Sequence, residues 1–414
     1  MRIRAALAVL VLGLATACGS ESGGGDGPVT LTLWTRAATE AVSKAYAEAY
    51  NKTHDNKVEV TAFPNEEYPA KLASSARSLP DLFAADVVFA PHYASQGLWL
   101  DVTDRFQELD VKDEVAPAHV RAGTWEDRNY AVPHTIDMSV MLYNKDLYTQ
   151  AGLDPEKPPT TLTEFAEHAR AIDKLGGDVN GTYFGGNCGG CVEFTFWPSV
   201  WAAGGAVLDD DGQNATVDSP EMAEVFSLYR QLYEEGVAAP ASKDEAGPTW
   251  LGALQNGKIG IAPGPSVWLG LIEEQSDIDM GVAPIPGIDG GESTFVGGDA
   301  IGIGATSENA DAAWDFLAWT MSDEAQVEVI AKNKGVPTRT DLAENKYSSE
   351  DPRIVTINSL MAKGETPYAR NFNASFNDPQ RPWLETVRGA LFGAADKALT
   401  DGNTAITESL QQGS

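Results

Sequence analysis

The stretch 130-YAVPHTIDMSVMLYNKDLY-148 decides how this chain is arranged. Its segment MSVMLYNK reads as a strand. Just before it, 124-TWEDRNYAVP-133 reads as a hairpin with Asp127, Arg128 and Asn129 at the turn. Upstream the order is regular. A strand over 29–34 is followed by a helix over 37–54, with Val42, Tyr46, Ala49 and Tyr50 at helical spacing. A second strand covers 57–63, a helix 67–78, and a short buried strand ends at Asp86 before a helix-like stretch to Gln96. Alternating strands and helices imply an α/β fold with a mostly parallel sheet and right-handed crossovers.

Downstream, a helix over 161–175 opens with a capping box, Thr161 at the cap and Glu164 three on. Another starts at Ser219-Pro220, with proline at the first helical position, and runs to Tyr233. A helix over 248–256, the strand KIGIAP and a helix over 266–274 lead to the strand FVGGDAIGIGA. A helix pair follows over 309–322 and 323–332, and the last part is helical over 352–363 and 382–399. There is no internal repeat.

The first residues, MRIRAALAVLVLGLATACGSESGGGDGP, carry two arginines, then an apolar run too short to span a bilayer permanently. The run ends in small residues before Cys18 and resembles a bacterial lipoprotein signal. The expectation is a signal peptide over 1–17, lipid on Cys18 and a flexible tether over 18–28. The other reading is an ordinary secretion signal with Cys18 incidental. Either way the chain is expected to be exported.

The net charge is −31, and loss of Arg2 and Arg4 makes it −33. Such a balance excludes nucleic acid and a basic membrane-binding face. About 385 residues follow the tether, enough for two lobes with their own cores.

Only Cys188 and Cys191 remain beyond Cys18, in the glycine-rich stretch 184-FGGNCGGCVEFTFWPSVWAAGG-205. In an exported chain the default is one disulfide, closing a tiny loop worth roughly 2 kcal/mol. Free thiols, a redox pair or half a metal site are the alternatives. A redox pair would want CxxC at the start of a helix after a strand, whereas glycines surround this pair and the VEFTF that follows reads as a strand. A zinc site needs two more ligands, and the five histidines are scattered. No metal or cofactor is expected.

Five stretches together resemble one family. They are VTLTLW with its helix and KVEVTAF; PDLFAAD with YASQGLWLDVTD; YAVPHTIDMSVMLYNKDLY; LQNGKIGIAPGPSVW; and FVGGDAIGIGA with AAWDFLAWTM and KGVPTRTDL. In this order they resemble the extracellular solute-binding proteins of ABC importers, in the sugar-binding group. The resemblance implies a periplasmic-binding-protein-like fold of type II, two α/β lobes joined by three crossings. Lobe 1 would hold 28–134 with 299–337, and lobe 2 would hold 135–298 with 338–414. A ligand would bind between the lobes, and the closed form would deliver it to the transmembrane subunits of a permease. A monomer is expected, with the lipid as its only hold on the outer face of the cell membrane.

Open α/β sheets bind ligands at the carboxyl ends of their strands. Trp34, Thr35 and Arg36 follow the first strand, Asp86 the third; His134 and Asp137 lie at the first crossing, Gly298 and Asp299 at the return. A sugar needs flat rings to stack on and planar polar groups at its rim. Ten tryptophans are many for this length. Trp197, Trp250, Trp268 and Trp383 are the stacking candidates, with Asn187 and Arg370 as polar partners. Ser266 takes the place, directly after Gly-Pro, where the maltose-binding protein carries tryptophan. The cysteine loop would be a staple presenting Asn187 and positioning Trp197. Each has a plainer reading: Asp86 as a helix cap, Arg36 as a surface charge, His134 as a satisfied crossing residue, Trp197 as core. Trp99, Trp201, Trp314 and Trp319 read as packing.

Two rivals remain. An exported glycoside hydrolase would need paired carboxylates, which 60 acidic residues supply by chance; GxSxG and HExxH are absent. A polyamine binder would use Asp86, Asp137 and Asp299.

Overall fold

The computed structural model describes residues 27–377 and 382–412. The expected signal peptide, Cys18 and nearly all of the tether lie outside the described residues. One seven-stranded sheet runs through the molecule. Its strands are β1 (Thr30–Arg36), β2 (Lys57–Phe63), β3 (Leu82–Asp86), β4 (Val132–Asn144), β5 (Ile261–Pro265), β6 (Met280–Ala283) and β7 (Val296–Ile303). The order is β2-β1-β3-β7-β4-β5, with β6 also pairing β4.

Strands β1, β2 and β3 pair in parallel, as the strand–helix alternation implies. The expectation of a mostly parallel sheet holds only there. The return strand β7 enters antiparallel between β3 and β4, and β5 and β6 are antiparallel to β4. A chain that crosses back into its first half arrives from the opposite direction, and the pairing reverses.

The pleat explains why β3 is apolar on both faces. Leu82 and Ala84 enter one core; Phe83 and Ala85, on the other face, enter a second. Tyr46, Ala47 and Tyr50 of helix α1 (Glu40–Thr53) cover the first of these faces.

Strand β4 is longer than MSVMLYNK. It starts at Val132 and has 13 residues. Residues Val132 to Met138 pair with β7, and Ser139 to Asn144 pair with β5 and β6. Pro133 lies within it, where the β4–β7 register slips between Asp299 and Ala300. A bulge is where a sheet tolerates a residue without an N–H. One strand therefore belongs to both halves of the molecule.

Three further expectations are corrected. The VEFTF segment is helical, inside α2 (Gly189–Ala202). The 124–133 hairpin turns at Glu126 and Asp127, whose φ of 47° and 59° are left-handed, as a tight two-residue hairpin requires. The last helix is two, α3 (Pro382–Phe392) and α4 (Ala395–Gln411). The Thr161 cap forms as read, its hydroxyl accepting from the Glu164 N–H while the Glu164 carboxylate takes the Thr160 N–H.

Gly298 is where backbone packing is tightest on β7. Its φ is +109°, and a Cβ there would lie 2.1 Å from the Thr135 carbonyl oxygen. Gly298→Ala should cost about 3 kcal/mol or more through strain and clash together, read as a lowered midpoint of denaturant unfolding.

Candidate ligand-binding site

The β3–β7–β4 register sets three residues side by side: Asp86 opposite Asp299, and Asp299 opposite Thr135. Two carboxylates on adjacent strands repel unless a cation intervenes. Arg36, at the end of β1, is that cation. Its guanidinium reaches Asp86 at 3.0 Å. Its Nε donates to Asp299 Oδ1 at 2.8 Å, and a second nitrogen bonds the same oxygen. The two acids hold the guanidinium charged against the cost of its burial. Arg36 is thus no plain surface charge. Asp86 keeps its capping role as well, accepting from the Val88 N–H at 3.3 Å. Burial pushes its carboxyl up, against the pull of Arg36.

Behind the pair, Thr39 donates to Asp299 Oδ2 at 2.7 Å. Thr39 also bonds the buried Thr35 at 2.9 Å, and Ser43 lies 2.8 Å from His134 Nε2. His134 is buried, and burial lowers its pKa to about 4 against the opposing pull of Asp299, so it is neutral at pH 7. It supports Thr35 and α1 through Ser43.

The facing side comes from the other half of the sheet. Asp137 accepts from Ser266 Oγ at 3.3 Å. Burial raises Asp137 to about 6, and Arg36 acts on it in the opposite direction. Glu193 of α2 is 3% exposed, and its Oε1 lacks a hydrogen-bond partner. Burial first, then the charge of Asp86, raises it to about 8. Phe194, next on the helix, lies against the return strand, 3.2 Å from where a Cβ of Gly297 would be. Tyr68 and Tyr93 close the group. Both are buried and both sense the charges of Arg36 and Asp299.

The structure thus brings together Thr35, Arg36, Asp86, His134, Asp137, Gly298 and Asp299 from the expected set. Trp34 stands on β1 beside them, 5.1 Å from the Phe63 ring and beneath the Lys71 ammonium. Arg370 lines a separate cavity of about 200 Å³ with Phe89, His92, Tyr93 and Leu98.

The other tryptophans are placed differently. Trp197 is fully buried among five rings, those of Trp201, Phe295, Phe372, Phe376 and Trp383. Trp383 donates to the Gly189 carbonyl. Trp250 and Trp268 are buried edge to face, 4.8 Å apart. Asn187 is bonded to Arg388. These residues meet packing or internal partners. Trp99 and Trp201 are buried too.

The sulfurs of Cys188 and Cys191 are 1.95 Å apart, at bonding distance. Cys188 caps α2, its sulfur accepting the Cys191 N–H. The pair therefore opens the helix that carries Glu193.

Sequence reasoning missed Glu193, Ser266 as a site group, Tyr68 and Tyr93. Glu193 was hidden by the strand reading of VEFTF. Ser266 was visible as the residue after Gly-Pro.

Two half-sheets sharing strand β4, with charged and polar side chains gathered where they meet, fit a two-lobed binding protein. The chain belongs to the family of bacterial extracellular solute-binding proteins, whose model matches residues 45–356. It is 25% identical over 353 residues to the maltotriose-binding protein of Pyrococcus abyssi, covering 84% of this chain and 72% of that one. It is 26% identical over 357 residues to the diacetylchitobiose binding protein DasA of Streptomyces coelicolor, covering 80% of each. Its structure matches the cyclic alpha-maltosyl-1,6-maltose binding protein from Arthrobacter globiformis with a TM-score of 0.81 at 26% identity, over 94% of this chain and all of the other.

Two outcomes are expected. Arg36→Met leaves Asp86 and Asp299 unpaired and should cost roughly 3–5 kcal/mol in denaturant unfolding. Glu193 has a folded pKa above that of an exposed carboxyl. Its stabilising contribution is therefore present in acid and lost as pH rises toward 8. Glu193→Gln removes that loss, so the variant should gain melting temperature over the parent at pH 8.5 and little or none at pH 5.

Proposed function

We propose that this chain is the substrate-binding lipoprotein of an ABC importer, capturing a sugar between its lobes and delivering it to a membrane permease. The observation that carries the reading is the polar seam. Arg36 and Asp86, from the half that also holds Asp299, act electrostatically on Asp137 and Glu193 of the other, where Asp137 bonds Ser266. Such a site is complete only when the halves meet, so a ligand that bridges it favours the closed form. The names of the relatives, binders of maltotriose, diacetylchitobiose and a cyclic maltose derivative, support a sugar as cargo.

The lobes are 28–134 with 299–337 and 135–298 with 338–414, with β4 and β7 as two of the three crossings. The ligand meets Trp34, Arg36, Asp86, Asp137 and Asp299 first. Arg370 offers a further polar contact from the cavity that it lines beside Tyr93. Cys188 and Cys191 form a disulfide that fixes the start of α2. Cys18 carries the lipid that tethers an exported, monomeric protein to the outer face of the membrane. It binds its solute without turnover.

A thermal-shift screen of the domain lacking Cys18, against mono-, di- and trisaccharides with spermidine and putrescine, tests this. One sugar class should raise the melting temperature, by about 2.7 kcal/mol of stabilisation at a hundredfold excess over Kd. Polyamines alone, or release of a chromogenic aglycone, would overturn the reading.

A further inference from the structure

A short run of chain leads from Asp86 to a cavity of about 200 Å³. Its walls come from both lobes as assigned above: Phe89, His92, Tyr93 and Leu98 from one, Arg370 and Asn373 from the other. Asp86, held by Arg36 at 3.0 Å, accepts from the Val88 N–H at 3.3 Å, and Phe89 is the next residue. Tyr93 follows about one turn later, on the helix Ala90–Ser95. Its ring is fixed edge to face against Phe83 at 5.8 Å and Trp99 at 5.5 Å. On the facing wall, Asn373–Asn377 winds as a π-helical turn, a form met often at functional sites. A hydrogen bond joins the His92 ring to the Arg370 backbone, so the two walls already touch.

The cavity and the seam differ in chemistry. Asp86, Asp137 and Asp299 give the seam acceptors. The described lining of the cavity holds no acidic residue, in a chain of net charge −31. It carries the amide of Asn373 and the guanidinium of Arg370 beside the Phe89 and Tyr93 rings. Asn371 lines it too, with its amide bonded to the Leu410 and Gln412 carbonyls. Rings with planar polar groups at their edge suit a sugar, whose C–H face packs on the first and whose hydroxyls meet the second. Hydroxyls both donate and accept, so a cargo reaching from the carboxylates to these donors pairs with both. At about 30 Å³ per liquid water the space equals roughly seven waters, enough for one pyranose ring and too little for two.

We propose that this cavity seats a second ring of the cargo. The ligand is then a sugar of at least two rings, one at the seam by Asp86 and the next against Phe89 and Tyr93. This rests on the sugar reading above and narrows its class.

Titration calorimetry of the intact domain tests this with two pairs, glucose against maltose and N-acetylglucosamine against diacetylchitobiose. In the pair that binds, the disaccharide should bind at least about tenfold more tightly than the monosaccharide. Ala73 also lines the cavity and is exposed. Ala73→Trp, which puts an indole into the space, should weaken the disaccharide about tenfold and leave the monosaccharide within about twofold. Asn373→Ala, at another exposed position, should weaken the disaccharide alone, by about three- to tenfold. Melting curves report whether both variants are folded, and the wild-type comparison within each pair stands without them. A monosaccharide binding as tightly as its disaccharide overturns the second seat and leaves the sugar reading intact. Folded Ala73→Trp binding the disaccharide as the parent does has the same meaning. Spermidine binding while all four sugars stay silent overturns the sugar reading and the seat with it.

Discussion

Strand β4 gives its first half to one set of neighbours and its second half to another, with no loop between. Backbone hydrogen bonds are directional and must be made in register. That single run from Val132 to Asn144 thus ties the geometry of one half-sheet to that of the other. Asp137 lies near the handover, flanked by the β7-paired residues on one side and the β5-paired residues on the other. The seam is consequently a property of the sheet itself.

The charge constraint follows from the same register. Placing Asp86 directly opposite Asp299 makes Arg36 indispensable to the fold, and fixing Arg36 leaves it with little left for Asp137 and nothing for Glu193. Stability and binding thereby use the same guanidinium. The aromatic groups divide in a similar way: Tyr68 and Tyr93 face the charged seam, while Trp197 and Trp383 fill the core beneath α2.

Much of this was legible in residue order. Strands β2 and β3 have the bounds read from alternation and from the run before Asp86. The residues at strand ends and crossings, Arg36, Asp86, Asp137 and Asp299, come together because strand ends are where a sheet exposes polar groups. The cysteine loop misled for a definite reason. Helix α2 is buried almost all round, including Val192, Glu193 and Thr195 to Trp201. A helix without a polar face has no 3.6-residue signal, and V-E-F-T-F then imitates a strand. Glu193 disappeared with it. The tryptophans are ambiguous for another reason: aromatic content says that rings are needed, and it does not say whether a ligand or the core needs them.

The position of β7 has a consequence for how the chain acquires its shape. β7 lies between β3 and β4 in space, yet it is made more than 150 residues after β4. Until residues 296–303 exist, β3 has an open edge and the first half-sheet cannot be completed. Helices α3 and α4, which cover the core under α2, come later still. Pairings so distant along the chain make folding slow. A chain still being synthesised thus lacks its completed sheet until residues 296–303 have been made.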